Sequence, residues 1–218
     1  MKKRFLLTTL TILSITQLFA QKEFRKSYSF KDFDAVDVGS TFQVKVKQGD
    51  QYQVVFVAQQ EKDLEDLDVD ISSGEISIGF ESDWSLFGIS KSHGHIHVYI
   101  TMPHLASLDI SGASTLKVYP FKNIDNLEID VSGAAKVNLA IDAKEVEVDA
   151  SGASKVEISG WVNRLDVDLS GASNFSAEKA EVGRAHVEAS GASYASFGKV
   201  EKLQSETSGA SHVSKSQS

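Results

Sequence analysis

Apolar and polar residues alternate along most of this chain, with the period of two that is typical of β-strands with one buried face. Around residue 150, apolar side chains occupy every second position, as in Val146, Val148 and Ala150, and acidic residues stand between them. The same alternation returns in segment after segment, and these segments lack the apolar stripe of an amphipathic helix. The pattern therefore predicts an all-β protein.

A short phrase, Ser-Gly-Ala-Ser, interrupts the alternation at nearly regular intervals. It begins at Ser111 and returns, once as Ser-Gly-Ala-Ala, at intervals of 21, 19, 19, 20 and 18 residues. A near-constant period of this size marks a solenoid, and about 19 residues are too few for a repeat that contains a full helix. We therefore predict a right-handed parallel β-helix with about 19–20 residues per turn, whose coils stack about 4.8 Å apart.

Each copy of the phrase carries a glycine at the same place, which predicts a corner whose backbone needs a positive φ or a close approach to the next coil. We expect the alanine after the glycine to point into the core, because a tight corner has room for a small side chain. The glycines of successive copies should stack in one column at the corner: Gly112, Gly133, Gly152, Gly171, Gly191 and Gly209.

The N-terminal part of the chain is rich in predicted strands but less regular. Residues 37–42 form a shortened version of the repeat, residues 53–58 have the pattern of a strand, and residues 61–66 that of a short acidic helical turn. These features predict an atypical end, which a solenoid needs to prevent edge-to-edge growth. We divide the mature chain into a polar lead-in at 21–32, an irregular β part or cap at 33–105, regular rungs at 106–213 and a polar tail at 214–218.

Residues 1–20 have the pattern of a secretory signal peptide. Three basic residues at positions 2–4 precede an apolar run from Phe5 to Leu18, and Ala20 is the small residue at the predicted cleavage site. The run is too short to span a bilayer comfortably, and no other stretch of spanning length follows it. We therefore expect an exported protein, in the periplasm, on the outer surface or secreted, with no transmembrane segment in the mature chain.

Composition narrows the possible partners and chemistry. The formal net charge is −8, and removal of the leader takes three positive residues with it, so we expect no nucleic-acid partner. The chain has no cysteine, which excludes disulfides, thiol chemistry and lipid attachment at an N-terminal cysteine. It also lacks a phosphate-binding glycine loop and the Gly-x-Ser-x-Gly motif of serine hydrolases.

Several segments together resemble one bacterial family. They are the leader, the Val-Gly-Ser-Thr-Phe entry at 38–42, the Met-Pro-His-Leu passage at 102–105 and the repeated Ser-Gly-Ala-Ser turns. The chain is similar to the auto-transporter adhesin family with a head GIN domain, and the resemblance covers roughly Phe30 to His212. It implies an exported, β-helical, non-enzymatic protein of the cell envelope.

The strongest candidate site is acidic. One carboxylate stands two residues before each copy of the repeat, and Glu128, Glu147 and Asp166 precede three of these by two more residues on the same outer face. Ca²⁺ binds clustered carboxylates and hydroxyls, so this strip is a possible cation site and Ca²⁺ the one possible cofactor. A solvated face that discourages aggregation is one alternative, and a glycosidase-like carboxylate pair is another. The strip consists of Asp109, Asp130, Asp149, Asp168, Glu188 and Glu206.

Two histidines and three aromatic residues complete the candidates. His95 and His97 would point to the same side of a strand, and His-x-His is a known metal-ligand spacing, although an exposed strand face is the alternative. Trp84 and Phe87, in a protruding loop, and Trp161, at a rung corner, could stack on sugar rings or a partner surface. Burial over the end of the core is the alternative for these three aromatic residues.

These observations predict an exported, non-catalytic β-helical protein of the cell envelope that acts as an adhesin or binding module for envelope or extracellular glycan or protein. The alternatives are a structural envelope scaffold without a ligand and a carbohydrate-active β-helix enzyme. The strip favours binding over catalysis, because its carboxylates have nearly identical neighbours, whereas acid and base roles need different environments. The oligomeric state stays open.

Overall fold

The computed structural model of the protein describes residues 23–81 and 94–216, so the predicted leader lies outside the described residues. The predicted all-β fold is confirmed: fourteen strands form a solenoid of about five turns with stacked parallel strands. Among the described residues the one helix is a short 3₁₀ helix at Glu61–Leu64. In chain order the strands are β1 (Phe24–Tyr28), β2 (Ala35–Val38), β3 (Phe42–Gln48), β4 (Gln53–Ala58), β5 (Leu67–Ser72), β6 (Glu75–Phe80), β7 (Ile96–Met102), β8 (Ser107–Ile110), β9 (Thr115–Val131), β10 (Lys136–Ala150), β11 (Lys155–Leu169), β12 (Asn174–Ala189), β13 (Tyr194–Thr207) and β14 (His212–Lys215).

The regular body consists of β9 to β14, each paired in parallel with the strand one turn earlier. The register stacks equivalent residues: Val148 lies between Ile129 and Val167 and is fully buried. Because side chains alternate along a strand, every rung sends its apolar row into one continuous core and its polar row to solvent. The repeat period and the alternation together therefore determine the body of the fold.

The N-terminal part adds two rungs that stack out of chain order. β2 and β3 pair in parallel with β8 and β9, and on their other side they pair in parallel with β6 and β7. The first rung of the chain therefore lies between two rungs that come later in the sequence. This arrangement brings residues of β3, β7 and β9 onto one face.

Antiparallel strands close the N-terminal end. β5 pairs with β6, β4 pairs with β7, and β1 pairs with β4. Antiparallel pairing interrupts the parallel stack, so a further coil cannot add there in register. The segment at 21–32, which we expected to be a polar lead-in, contains the outermost of these strands, β1.

At the C-terminal end, β14 covers the first part of β13, and the rest of β13 is the last strand of the stack. Ser205 on β13 stacks on Val187 of the previous turn, and Thr207 stacks on Ala189; both hydroxyl residues are exposed. Leu203 and Val213, which also stand in the inward rows of this turn, are partly buried. This end therefore presents a mixture of hydroxyl and apolar side chains.

At the corners the fourth residue of the repeat, a serine in every copy except the one with Ala135, points into the core, and the alanine before it does not. Ser154 is buried and Ala153 is exposed. Our expectation for the alanine was wrong, because the positive φ of the preceding glycine turns the backbone and delays the inward alternation by one residue. At the first of these corners, Ser114 Oγ donates to the Gly39 carbonyl and accepts from the Phe42 N–H, both at 3.1 Å, whereas Oγ of Ser154 and of Ser173 has no hydrogen-bond partner among the described residues.

The repeat glycines lie in one column at this corner. A Cβ on Gly152 would lie 2.6 Å from the carbonyl oxygen of Gly133, so the next coil excludes a side chain. That carbonyl accepts a 2.7 Å hydrogen bond from the N–H of Ala153. Ser40 fills the equivalent position of the first rung with a φ of 65°. The φ values are 74° for Gly112, 71° for Gly133, 73° for Gly152, 70° for Gly171, 75° for Gly191 and 71° for Gly209.

Candidate functional site

The acidic residues singled out in the sequence lie in one unbroken ladder on the strands that precede the corner. Asp130 on β9 is directly opposite Asp149 on β10, and Asp149 is directly opposite Asp168 on β11. The pairing continues through Glu188 on β12 to Glu206 on β13. Since neighbouring strands are about 4.8 Å apart, each carboxylate inside the row faces like charges on both sides, and Glu206 at its end faces one.

A seventh carboxylate, Asp37, extends this ladder and was not predicted. Asp37 on β2 is opposite Asp109 on β8, so the first rung of the chain continues the same row. The signal was present in the sequence, because Asp37 stands two residues before Gly39 just as Asp109 stands two residues before Ser111. The term acidic ladder refers below to Asp37, Asp109, Asp130, Asp149, Asp168, Glu188 and Glu206.

Crowding raises the pKa of the aspartates in the ladder. At Asp149 partial burial is the main cause of the raised pKa, and the negative charges of Asp130 and Glu128 add to it. Burial and neighbouring carboxylates also raise the pKa values of Asp109, Asp130 and Asp168. The surroundings therefore shift the pKa values of all four aspartates in the same direction, upward.

A groove of about 440 Å³ follows the acidic ladder along five turns. It is lined by the ladder carboxylates from Asp130 to Glu206 and by the first serine of each corner, such as Ser151 and Ser170. Within residues 23–81 and 94–216, no three histidine, cysteine, aspartate or glutamate side chains are grouped so that they could hold a metal ion. The acidic groove can attract cations along its length, but it offers no cage for a single ion.

The two histidines occupy different environments. His95 is exposed just before β7, whereas His97 is half-buried on β7, with its ring centroid 6.5 Å from that of Tyr99. Nδ1 of His97 is buried and has no hydrogen-bond partner among the described residues. As in the acidic groove, the described part of the chain brings no third ligand to these histidines.

Of the three aromatic residues, Trp84 and Phe87 lie outside the described residues. Trp161 on β11 is 46% exposed and lies opposite Asp142 on one side and Glu181 on the other. Trp161 does not line the acidic groove, nor the groove around Tyr99 and Tyr119 that is described next.

The second groove, about 460 Å³ in volume, was not predicted, and it lies on the strands that follow the corner. Residues of β1, β3, β4, β7 and β9 line it, and two of them are exposed tyrosines, Tyr99 (40%) and Tyr119 (39%). We call it the tyrosine–lysine groove; its lining includes Arg25, Lys45, Lys47, Val55, Tyr99 and Tyr119.

Lysine side chains lie against both tyrosine rings. Nζ of Lys45 is 5.3 Å from the centroid of Tyr99, and Nζ of Lys117 is 5.0 Å from the centroid of Tyr119. Such cation–π contacts contribute about 0.5–1 kcal/mol at exposed sites and keep ring and ammonium group together. Both tyrosines occupy outward positions of alternating strands, which is the one signal in the sequence that could have identified them.

A model of one protein family matches most of the chain. The family model described as "Putative auto-transporter adhesin, head GIN domain" matches residues 32–217. No curated protein matches the sequence. No helix within 23–81 and 94–216 has the length and apolar character needed to cross a membrane.

Solved structures share the fold. A putative adhesin from Bacteroides fragilis is 15% identical, with a TM-score of 0.72 over 90% of this chain and 94% of that chain. A putative adhesin from Parabacteroides merdae is 14% identical, with a TM-score of 0.66 over 91% and 98%. A putative lipid binding protein from Parabacteroides distasonis is 12% identical, with a TM-score of 0.67 over 91% and 98%. At these identities the likeness establishes the fold alone.

Proposed function

We propose that this chain, which belongs to the head GIN domain family of putative auto-transporter adhesins, is an exported, non-catalytic binding module of the cell envelope that attaches to a surface glycan or protein. The observation that carries the proposal is the tyrosine–lysine groove, an open surface with two exposed tyrosines. Strands of five different segments hold its side chains in place. A surface that is ordered before the ligand arrives loses little conformational entropy on binding.

The acidic groove supports binding or solvation more than catalysis. Acid and base roles need carboxyl groups whose environments move their pKa values apart. Burial and like charge instead raise the pKa values of Asp130, Asp149 and Asp168 together. Carboxylates whose pKa values are shifted in the same direction favour a repeated binding or solvated surface over a pair of catalytic residues.

A scaffold that grows end to end is disfavoured by the N-terminal end of the solenoid. This end is covered by antiparallel strands, which interrupt the parallel stack. Growth by stacking needs an open, apolar rung at each end. The lateral faces are therefore the surfaces available for partners.

Export rests on the leader pattern of residues 1–20 and is consistent with the auto-transporter description of the family. We would express the full chain with a C-terminal tag in a Gram-negative bacterium, separate the cell fractions and determine the mass of the tagged protein. The expected product lacks residues 1–20 and is found outside the cytoplasm. A full-length product confined to the cytoplasm would contradict export.

Binding is tested with the exported protein and isolated bacterial envelopes. We expect saturable binding that is lost after either periodate oxidation, which destroys glycans, or protease treatment, which removes proteins. We also expect no release of reducing sugar from envelope polysaccharide. Absence of binding would refute the binding function, and sugar release that disappears in Asp149→Asn would show an enzyme.

A further inference from the structure

We propose that the tyrosine–lysine groove binds an anionic polysaccharide. The tyrosine rings stack on the apolar faces of sugar rings, and the lysine ammonium groups pair with carboxylate or sulfate groups on the chain. This inference rests on the proposed binding function and adds to it the ligand class and the site. Four observations carry it: the exposed rings, their spacing, the unneutralised positive charge and a continuation of the groove.

The exposed rings suit a ligand that is polar at its edge and apolar on its face. Tyr99 and Tyr119 each keep about two fifths of their surface in water, at 40% and 39%, although both stand on central strands. Exposed aromatic rings of this size gain free energy when a flat, partly apolar ligand covers them. A pyranose ring presents such a face, with hydroxyl groups around its rim that can bond to neighbouring polar side chains.

The spacing of the rings favours a chain over a single sugar. Tyr99 on β7 lies opposite Lys45 on β3, and Lys45 lies opposite Lys117 on β9. Tyr119 stands two residues beyond Lys117 on the same side of β9. The two tyrosines are therefore separated by two strand spacings, about 10 Å, in addition to their offset along the strands. A ligand that contacts both rings has to extend over several sugar units.

The groove carries positive charge that other side chains do not neutralise. Within the described residues Lys45, Lys47 and Lys117 form no ion pair, and the acidic residue among the lining residues, Glu23, is paired with Arg25 at 3.2 Å. This concentration of cations occurs in a chain with a formal net charge of −8. An anionic ligand is attracted here and repelled by the acidic ladder across the corner, which restricts it to one face.

A neighbouring groove continues the surface toward the C-terminal rungs. It has a volume of about 510 Å³, and its polar lining consists of Lys117, Lys179, Glu157, Glu178, Asn138, Ser159 and Ser176. Its two lysines are matched by two glutamates, so this part of the surface contributes hydrogen-bonding groups and adds no net positive charge. Amide and hydroxyl side chains are the usual partners of sugar hydroxyl groups. A polymer seated on the tyrosines can therefore extend along the solenoid.

The test uses four purified polymers and the exported full chain: polygalacturonate as the carboxylated probe, dextran sulfate as the sulfated probe, neutral dextran as the uncharged control and polyglutamate as the acidic polypeptide control. We expect binding of at least one anionic polymer and at least about tenfold weaker binding of dextran. Binding should weaken as salt concentration rises, because screening acts on exposed charges. Carboxylate and sulfate ligands are distinguished by which of the two anionic probes binds more tightly.

Two variants assign the binding to the groove. Tyr99→Ala with Tyr119→Ala should weaken binding about tenfold or more, because two stacking surfaces are lost. Lys45→Gln with Lys117→Gln should weaken binding and reduce its salt dependence. The matched controls, Trp161→Ala and Lys202→Gln, remove an exposed ring and an exposed lysine outside the groove and should leave the affinity unchanged. Thermal melts check that each variant is folded. If the tyrosine double variant is unstable, the lysine double variant, whose substitutions are on the surface, still tests the site.

The possible failures are distinguishable. Binding to envelopes that persists without affinity for either anionic polymer overturns this inference and leaves the proposed function intact. Equal binding of polyglutamate, unaffected by the tyrosine substitutions, also overturns it, because the ligand is then an acidic protein recognised by charge alone. Loss of all envelope binding by the wild type refutes the proposed function itself.

Discussion

Asp149 on β10 lies directly opposite Asp130 on β9, and the negative charge of Asp130 contributes to the raised pKa of Asp149. Two like charges about 4.8 Å apart repel by roughly 1 kcal/mol when water screens them fully. The same pairing is repeated on the next turn with Asp168. The protein therefore maintains a row of like charges that weakens its own stacking, which is expected of a surface selected for something other than stability.

Asp149→Asn should stabilise the protein at pH 7, because it removes repulsion from both neighbouring rungs. Since Asp149 is largely exposed, the gain is at most about 1 kcal/mol, or an increase of about 2–4 °C in Tm for a chain of this size. The matched control is Asp125→Asn, which breaks a 2.6 Å ion pair with Lys144 and should leave Tm unchanged or slightly lower. A lower Tm for Asp149→Asn would show that Asp149 makes a favourable contact.

The raised pKa values also predict how stability changes with pH. A carboxyl group whose pKa is higher in the folded than in the unfolded state favours folding when protonated. The stability from Asp109, Asp130, Asp149 and Asp168 is therefore full below the unfolded pKa of about 3.9 and is lost as the pH rises through the folded values. Glu157 acts in the opposite sense, because its hydrogen bond with Lys155 lowers its pKa.

We therefore expect Tm to rise as the pH is lowered from 7 toward the unfolded-state value of about 3.9. The double variant Asp149→Asn with Asp168→Asn should show a flatter profile over the same range. Thermal melts at half-unit pH intervals measure both curves. Parallel curves for the wild type and the double variant would contradict the role assigned to the ladder.

Most of the solenoid body was predictable from the sequence. The alternation predicts which residues face the core, and the repeat period predicts which residues stack on each other in successive turns. Val148 could be assigned to the core from its neighbours alone, and its burial between Ile129 and Val167 agrees. The inward side chain at the corner was not predictable by alternation, because the positive φ of Gly152 shifts the alternation by one residue. Ser154 occupies the position that we assigned to Ala153.

The tyrosine–lysine groove depends on contacts that a sequence pattern does not contain. Tyr99 and Tyr119 share one face because β3 stacks between β7 and β9, although β3 precedes both in the chain. Periodicity predicts which side of a strand a residue occupies, but it does not predict the order in which irregular rungs stack. Asp37 was missed because its corner reads Gly39-Ser40-Thr41-Phe42 in place of Ser-Gly-Ala-Ser, although the pairing of β2 and β3 with β8 and β9 shows that it has the same length.

Val148→Asp should unfold the central rungs. The substitution introduces an unpaired charge into a closed apolar column, a change that typically costs more than about 4 kcal/mol. The neighbouring outward position supplies the control, since Glu147→Ala removes an exposed side chain and should alter Tm by no more than a few degrees. Circular dichroism during heating measures both variants, and a Tm for Val148→Asp within a degree of the wild type would show that Val148 is not in the core.

Gly152→Ala should also destabilise the protein, although it adds only one methyl group. Gly152 has a φ of 73°, and a Cβ there would lie 2.6 Å from the carbonyl oxygen of Gly133. The backbone strain alone costs about 1–2 kcal/mol, and the close contact adds to it. Gly79→Ala is the matched control, because a Cβ at Gly79 meets nothing within 4 Å, and it should be neutral or slightly stabilising. Similar melts for the two variants would contradict the glycine column.

Divalent cations distinguish a charged surface from a specific binding site in the acidic groove. No three potential ligand side chains are grouped to hold a metal ion within the described part of the chain, so we expect Ca²⁺ to act by screening alone. Millimolar Ca²⁺ and Mg²⁺ should then raise Tm by the same small amount, and Asp149→Asn should reduce both effects equally. A specific site would stabilise the folded state by RT ln(1 + [L]/Kd), with a larger effect for Ca²⁺, which accepts more oxygen ligands and a less regular geometry than Mg²⁺. A Tm increase that occurs with Ca²⁺, is absent with Mg²⁺ and disappears in Asp149→Asn would therefore establish a calcium site in the acidic ladder.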